Sequence, residues 1–186
     1  MLIARLAAEA ELRLLERQDA EALWALTDAS REHLRRWLPW LDTVRTPQDS
    51  ESFIVRGLGQ FAQGLGFQAG IWRQDALCGV CGLHEINWPN RQSSIGYWIG
   101  AQFEGQGLVT LACRAVLDEA FARYGLHRME LRAATGNVRS QAVASRLGFV
   151  REGVVRDAEW LYEHYVDHIV FGLLASEWHG AQESGR

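Results

Sequence analysis

Lysine is missing from this chain of 186 residues: every one of its 19 basic side chains is arginine. Arginine pairs bidentately with phosphates and carboxylates, which lysine cannot do; a GC-rich coding bias is the plainer cause. The formal net charge is -4 and no basic block occurs, which argues against a nucleic-acid partner held by a broad basic face. Three cysteines cannot all pair, which argues against a secreted disulfide scaffold. Cys78 and Cys81 form a C-x-x-C in a strand-like run. Strand alternation sends positions i and i+3 to opposite faces, and no second Cys/His pair follows at zinc spacing; the expectation is two small core thiols and no metal. No apolar run approaches the roughly 18 residues that span a bilayer, and the opening Met1–Arg5 carries its charge too early for a signal peptide. A cytoplasmic protein without a membrane partner is expected. Prolines number three, and no repeat or Pro/Gly/Ser linker interrupts the chain. At about 150 residues per domain, one domain is expected over 1–186, with its core at about 11–174 and a frayed tail at about 176–186.

What is present is an ordinary globular mixture, 48% hydrophobic and 23% charged, enough for a two-layer core. Periodicity predicts a strand over Glu11–Leu15, a helix over Ala20–Thr27 capped by Asp19, a short helix over Ser30–Leu38 stopped by Pro39, and a helix from Pro47 to about Gln63. The period then shortens. Strands are expected at Phe67–Arg73, Ala76–Asn87 and Ser93–Ile99, the first two joined at Gln74-Asp75. A helix over Leu108–Tyr124, a strand over Arg128–Ala134 and a helix from Asn137 to Leu147 follow. Strands at Phe149–Val154 and Tyr165–Leu174 complete a mixed α/β order.

Three features carry chemistry. The first is Gly105-Gln106-Gly107-Leu108-Val109-Thr110, between a strand and a helix. Glycines let the backbone turn with its N–H groups exposed, and the helix adds free N-terminal amides and the positive end of its dipole. That makes a pyrophosphate cradle without basic side chains, though an ordinary strand-to-helix turn has the same pattern. It lacks the third glycine of a dinucleotide fingerprint and the Gly-Lys-Ser/Thr of a nucleoside-triphosphate loop. The second is Asn137, a helix N-cap, with Ser140 in the first turn. The third is Glu159 in the stretch Arg156–Trp160, expected to be irregular, where a carboxylate is commonly a solvated loop residue. His164 and His168 lie in a strand-like run and are assigned to structure or solvent. Tyr97 and Trp98 precede the loop, and core packing is the plain reading of at least one of them.

Together these features, with Ile95-Gly96-Tyr97-Trp98, Leu147-Gly148-Phe149, Glu152-Gly153 and Asp167-His168, are similar in order and spacing to the GNAT acetyltransferases. Within them the chain resembles the RimL/RimJ-like protein N-acetyltransferases, from about Glu11 to Leu174. The family's loop motif fits in two registers, one starting at Gln102 and one at Glu104. The resemblance implies the GNAT fold: an α/β, mostly antiparallel, twisted sheet of six to seven strands with helices on both faces and splayed central strands. It implies acetyl-CoA as cofactor, with its pyrophosphate at Gly105–Thr110, its pantetheine in the gap beside Trp98 and Ile99, and its amide groups at Asn137. It links Glu159 to removal of the amine proton and Ser140 to protonation of the leaving thiolate, and sets Trp37 and Trp40 where the family builds its acceptor wall, with core packing the equal alternative. With no cysteine beside the loop to carry acetyl, transfer is expected to be direct. The favoured acceptor is a protein N-terminal α-amine, against a small amine such as a polyamine or antibiotic, or a non-catalytic acyl-CoA-binding module. A homodimer is also within what the resemblance implies.

Overall fold

The structure is a computed structural model that describes residues 1–7 and 9–178. It begins with β1 (Leu2–Ala7) and β2 (Ala10–Leu14), followed by α1 (Ala20–Ala29), α2 (Arg31–Leu34) and α3 (Pro47–Ala62). Next come β3 (Phe67–Arg73), β4 (Ala76–Leu83), β5 (Gln92–Ile99) and α4 (Leu108–Asp118). The remainder is β6 (Arg128–Ala134), α5 (Val138–Arg146), β7 (Val150–Leu161) and β8 (His164–Leu174). All eight strands join one sheet in the order β1-β2-β3-β4-β5-β6-β8-β7. Six or seven strands were expected; the additional one is β1, an edge strand that packs Ile3 and Leu6 against the core and whose run Leu2–Ala7 lacks the apolar–polar alternation of a strand.

The sheet is covered on both faces. Leu23 and Leu26 of α1 and Ile54 of α3 pack with Leu15, Trp72, Leu77 and Val80 on one side. Cys113 and Leu117 of α4 and Val143 and Ala144 of α5 pack with Leu12, Ile71 and Leu131 on the other. Each fully buried Leu or Ile contributes about 1.5–3 kcal/mol relative to exposure, so these two clusters fix where the helices sit.

Local chemistry explains most element ends. Thr46 caps α3 by accepting from the Asp49 amide while Asp49 accepts from Thr46, with Pro47 in the first turn. The β3–β4 turn places Gln74 and Asp75 at φ +47° and +64°, the left-handed geometry that two-residue hairpins need. Asp19 does not cap α1 through its side chain; it accepts from the Glu16 amide at 2.8 Å and from Arg13. Residues 156–160 are not irregular: they belong to β7, and a bulge between Val155 and Glu159 had disguised the strand pattern. Residues 175–178 are helical rather than frayed. Trp178 is buried there, its indole N–H 2.9 Å from an Asp118 carboxylate oxygen; the rest of the expected tail, 179–186, lies outside the described residues.

A register shift between Ile71 and Trp72 leaves Cys78 without a partner in β3. It changes the parity of β4: Cys78 and Cys81 both belong to the α4-side cluster, while Leu77 and Val80 belong to the other. The opposite-face expectation therefore fails. Cys81 Sγ instead meets Cys113 Sγ at 3.9 Å, inside the core.

Candidate active site

β5 and β6 run parallel, but their pairing stops early. Gln92, Ser93 and Ser94 pair with Arg128, Met129 and Glu130, and no further pair forms. From Ile95 onward β5 is held only by β4, and from Leu131 onward β6 is held only by β8. The two strands thus part at the centre of the sheet, opening a cleft of about 2290 Å³ lined by both separated segments. Trp98 and Ile99 lie on the β5 edge of this split.

β5 leads through Gly100 into the Gly105–Thr110 loop at the start of α4. Gly105 and Gly107 have φ of +73° and +76°, and a Cβ built on either would meet nothing within 4 Å. The glycines are therefore required by backbone conformation, and the space beside them is open. No acceptor is found among the described residues for the six amides of Gly105, Gln106, Gly107, Leu108, Val109 and Thr110; Leu111 is the first to bond, to Gly107 O at 3.1 Å. Six amides at the positive end of a helix form an anion site. The side chains around them point elsewhere. Gln106 is held by Arg73, the Thr110 hydroxyl accepts from Arg146 at 2.9 Å, and Leu108 and Val109 turn into the core. Glu104, an acid at the mouth of an anion site, is neutralised by Arg139 and lies 3.3 Å from His33 Nε2.

α5 starts on the opposite bank of the cleft. Asn137 is its N-cap, with Oδ1 accepting from the Ser140 amide at 3.1 Å; the side-chain NH2 has no partner among the described residues and stays available. Ser140 Oγ lies 2.8 Å from the phenol oxygen of Tyr97, a residue that half faces the cleft rather than serving only the core. Burial pushes the Tyr97 phenol well above its ordinary range. Glu159 also lines the cleft. The β7 bulge sets three residues against Asp167 alone and kinks the strand. Beyond it, Glu159 Oε2 stands 3.6 Å from His168 Nε2. Alternation turns neighbouring Trp160 outward, 52% exposed and edge-on to Tyr165, so Trp160 does not shield the carboxylate. Among the described residues no group of three or more His, Cys, Asp or Glu side chains could hold a metal ion.

A split sheet, free amides at one helix start and a hydroxyl and a carboxylate on the facing banks suit an acyl donor with a pyrophosphate handle. The model of the acetyltransferase (GNAT) domain matches residues 10–150. The chain belongs to the GNAT acetyltransferase family. This acetyltransferase is 37% identical over 170 residues, 91% of its length and 93% of the relative's, to YdaF of Bacillus subtilis (strain 168), named by inference as a ribosomal N-acetyltransferase. It is 27% identical to the ribosomal-protein-serine acetyltransferase of Escherichia coli (strain K12), over 84% of this chain and 88% of that one. Among solved structures, a RimL ribosomal L7/L12 alpha-N-protein acetyltransferase in complex with coenzyme A superposes with a TM-score of 0.89 at 25% identity, covering 94% of this chain and 98% of that one. The protein is an acetyl-CoA-dependent N-acetyltransferase, and acetyl-CoA fits the open glycine loop and the β5–β6 gap.

Trp37 and Trp40, both partly exposed, also line the cleft. Trp37 packs 3.6 Å from the position a Cβ on Gly136 would take, and Trp40 lies 6.1 Å from Trp98, ring to ring. Tyr162, in the turn between β7 and β8, ties that turn to the segment at Leu38–Leu41. Its hydroxyl accepts from the Leu41 amide at 3.2 Å and donates to Leu38 O at 2.5 Å, and the Arg35 guanidinium lies 3.7 Å over its ring. Sequence reasoning missed Tyr162 and the roles of Tyr97 and His168 as partners. For Tyr97 a signal existed: Ile95, Tyr97 and Ile99 alternate onto the α4 face, which places the phenol beside the helix that Asn137 begins.

Proposed function

We propose that this enzyme acetylates the α-amine of a protein N-terminus by direct transfer. Acetyl-CoA supplies the acetyl group as an activated thioester. The amides of Gly105–Thr110 bind its pyrophosphate, with Gln106 contributing backbone rather than side chain. The free edge of β5 at Trp98–Ile99 pairs with the pantetheine, and the Asn137 NH2 binds its amide carbonyl. Glu159 accepts the proton that the amine loses, and the Ser140 hydroxyl donates a hydrogen bond to the departing sulfur. A free α-amine titrates near 7.7–8.0, so modest base assistance suffices.

The observation that carries this reading is the convergence of unpaired loop amides, Ser140 and Glu159 on one split in the sheet. The N-terminal acceptor is supported by relatives named for ribosomal-protein acetylation. A second reading, a small-amine acceptor, is favoured by a microcin self-immunity acetyltransferase bound to acetyl-CoA and AMP, which superposes with a TM-score of 0.85 at 28% identity. A thiol-release assay with acetyl-CoA against N-terminal peptides and small amines separates the two. Turnover confined to peptides supports the first, and turnover confined to small amines overturns it.

A further inference from the structure

The pairing of Tyr97 with Ser140 goes beyond positioning a helix. The phenol oxygen stands 2.8 Å from Ser140 Oγ and 3.3 Å from the Ser140 carbonyl. O–H···O bonds fall at about 2.5–3.0 Å, so the single phenol hydrogen belongs on the shorter contact. Its direction follows from acidity. A phenol, with a pKa of about 10, is a stronger acid than an aliphatic hydroxyl, and its oxygen is the poorer acceptor. Tyr97 is therefore the donor and Ser140 Oγ the acceptor. Ser140 Oγ has no other partner among the described residues, so the serine's own hydrogen is left free to point into the cleft.

We propose that Tyr97 is a positioning residue for acetyl transfer: by donating to Ser140 Oγ, it turns the serine hydroxyl hydrogen towards the sulfur that leaves. The proposal rests on the assignment of Ser140 above and refines it. A serine hydroxyl is a weaker acid than a thiol, so Ser140 meets the sulfur's charge with a hydrogen bond and keeps its proton. The transfer then balances. The C–N bond forms, the C–S bond breaks with its electron pair going to sulfur, and the amine proton goes to Glu159. Sulfur takes its proton from water, matched by the one Glu159 later releases. The ionisable neighbours of Tyr97 are Cys81, Cys113 and Arg146, and burial keeps the phenol protonated, so it stays a donor throughout the range in which the amine reacts.

Tyr97→Phe keeps the ring and removes the hydroxyl. One readout is independent of turnover: the thiol pKa of bound coenzyme A, followed by thiolate ultraviolet absorbance against pH, with the desulfo-coenzyme A complex as blank. Tyr97→Phe and Ser140→Ala should each raise it by about one pH unit, the size of one hydrogen bond to a charged group, and the double variant should raise it no further. In turnover, Tyr97→Phe should lower kcat on the order of 10-fold with KM for acetyl-CoA unchanged, and should add nothing in the Ser140→Ala background. A Ser140→Ala protein with normal kcat and thiol pKa would overturn the Ser140 assignment and this proposal together. A Ser140 effect with Tyr97→Phe indistinguishable from wild type, or with the two penalties multiplying, would overturn the role of Tyr97 alone.

Discussion

Two helices begin on opposite banks of the same cleft, and they end their backbones in opposite ways. α5 satisfies itself: Asn137 accepts from the Ser140 amide within four residues. α3, which also lines the cleft, does the same with Thr46 and Asp49. α4 has Gly107 at its cap, no side-chain partner, and a run of amides aimed at open space. A bare helix start costs stability, so leaving one beside a capped neighbour marks the place where a ligand completes the helix. Glu159 sits with α4 in this respect: its contact with His168, at 3.6 Å, is too long for a hydrogen bond, as the proposed role towards the acceptor amine requires.

The sharpest way to break this contrast is Gly107→Asp. A Cβ there meets nothing in the free protein, so the fold should survive at the cost of about 1–2 kcal/mol for the left-handed conformation. Coenzyme A affinity should fall on the order of 100-fold or more, because an anion now stands where the pyrophosphate binds; titration calorimetry decides, and undiminished affinity would remove α4 from the donor site. Next in size is Glu159→Gln. Near neutral pH kcat/KM should drop on the order of 10²-fold. The deficit should narrow as pH rises past about 8, where the α-amine sheds its proton unaided. Equal pH–rate profiles for variant and wild type would show that water, not Glu159, takes the proton.

How much of this was legible beforehand depends on sequence distance. Caps and turns are written within four residues, so Gly105, Gly107, Asn137 and Ser140 could be picked out directly, as could the Gln74-Asp75 turn. The carboxylate of Glu159 was legible as a chemical type but not as a strand residue beside His168, because the bulge before it has no composition of its own. Tyr97 and Ser140 are 43 residues apart and meet only once β5 and α5 are both docked. The facing of Cys78 failed for a related reason: one extra residue in β4 inverts an alternation that is otherwise sound. Trp178 looked like part of a loose end because its partner, Asp118, lies 60 residues away.

Smaller effects test the self-satisfied helices. Asn137→Ala should cost about 1 kcal/mol, a Tm fall of about 2–4 °C for a chain of this size. The scan should be repeated with saturating coenzyme A; a fall that widens there would show that Asn137 also binds the ligand, and one that stays the same would mean it serves only the helix. Smallest of all is Asp49→Asn at the α3 cap. Hydrogen bonds from the Arg45 amide, then from the Thr46 hydroxyl and amide, hold the Asp49 carboxyl below its ordinary range. Its stabilisation is complete above the unfolded value of about 3.9 and fades as pH falls through the lower folded one. Thermal scans should show a small deficit for the variant at neutral pH that closes as pH falls below the unfolded carboxyl's range. A deficit independent of pH would assign the effect to lost geometry instead of charge.

The latch made by Tyr162 has a consequence for how such an enzyme changes its clientele. Both hydrogen bonds of its hydroxyl go to main-chain atoms, the Leu41 N–H and the Leu38 carbonyl, and these flank Trp40. Main-chain atoms are the same whatever side chains they carry. Residues 38–40 can therefore be exchanged one by one while the segment stays pinned to the β7–β8 turn; Leu41, whose side chain is fully buried, is the exception. The cleft-lining side chains of this segment are free to drift through mutation, and the frame that holds them is not at risk when they do.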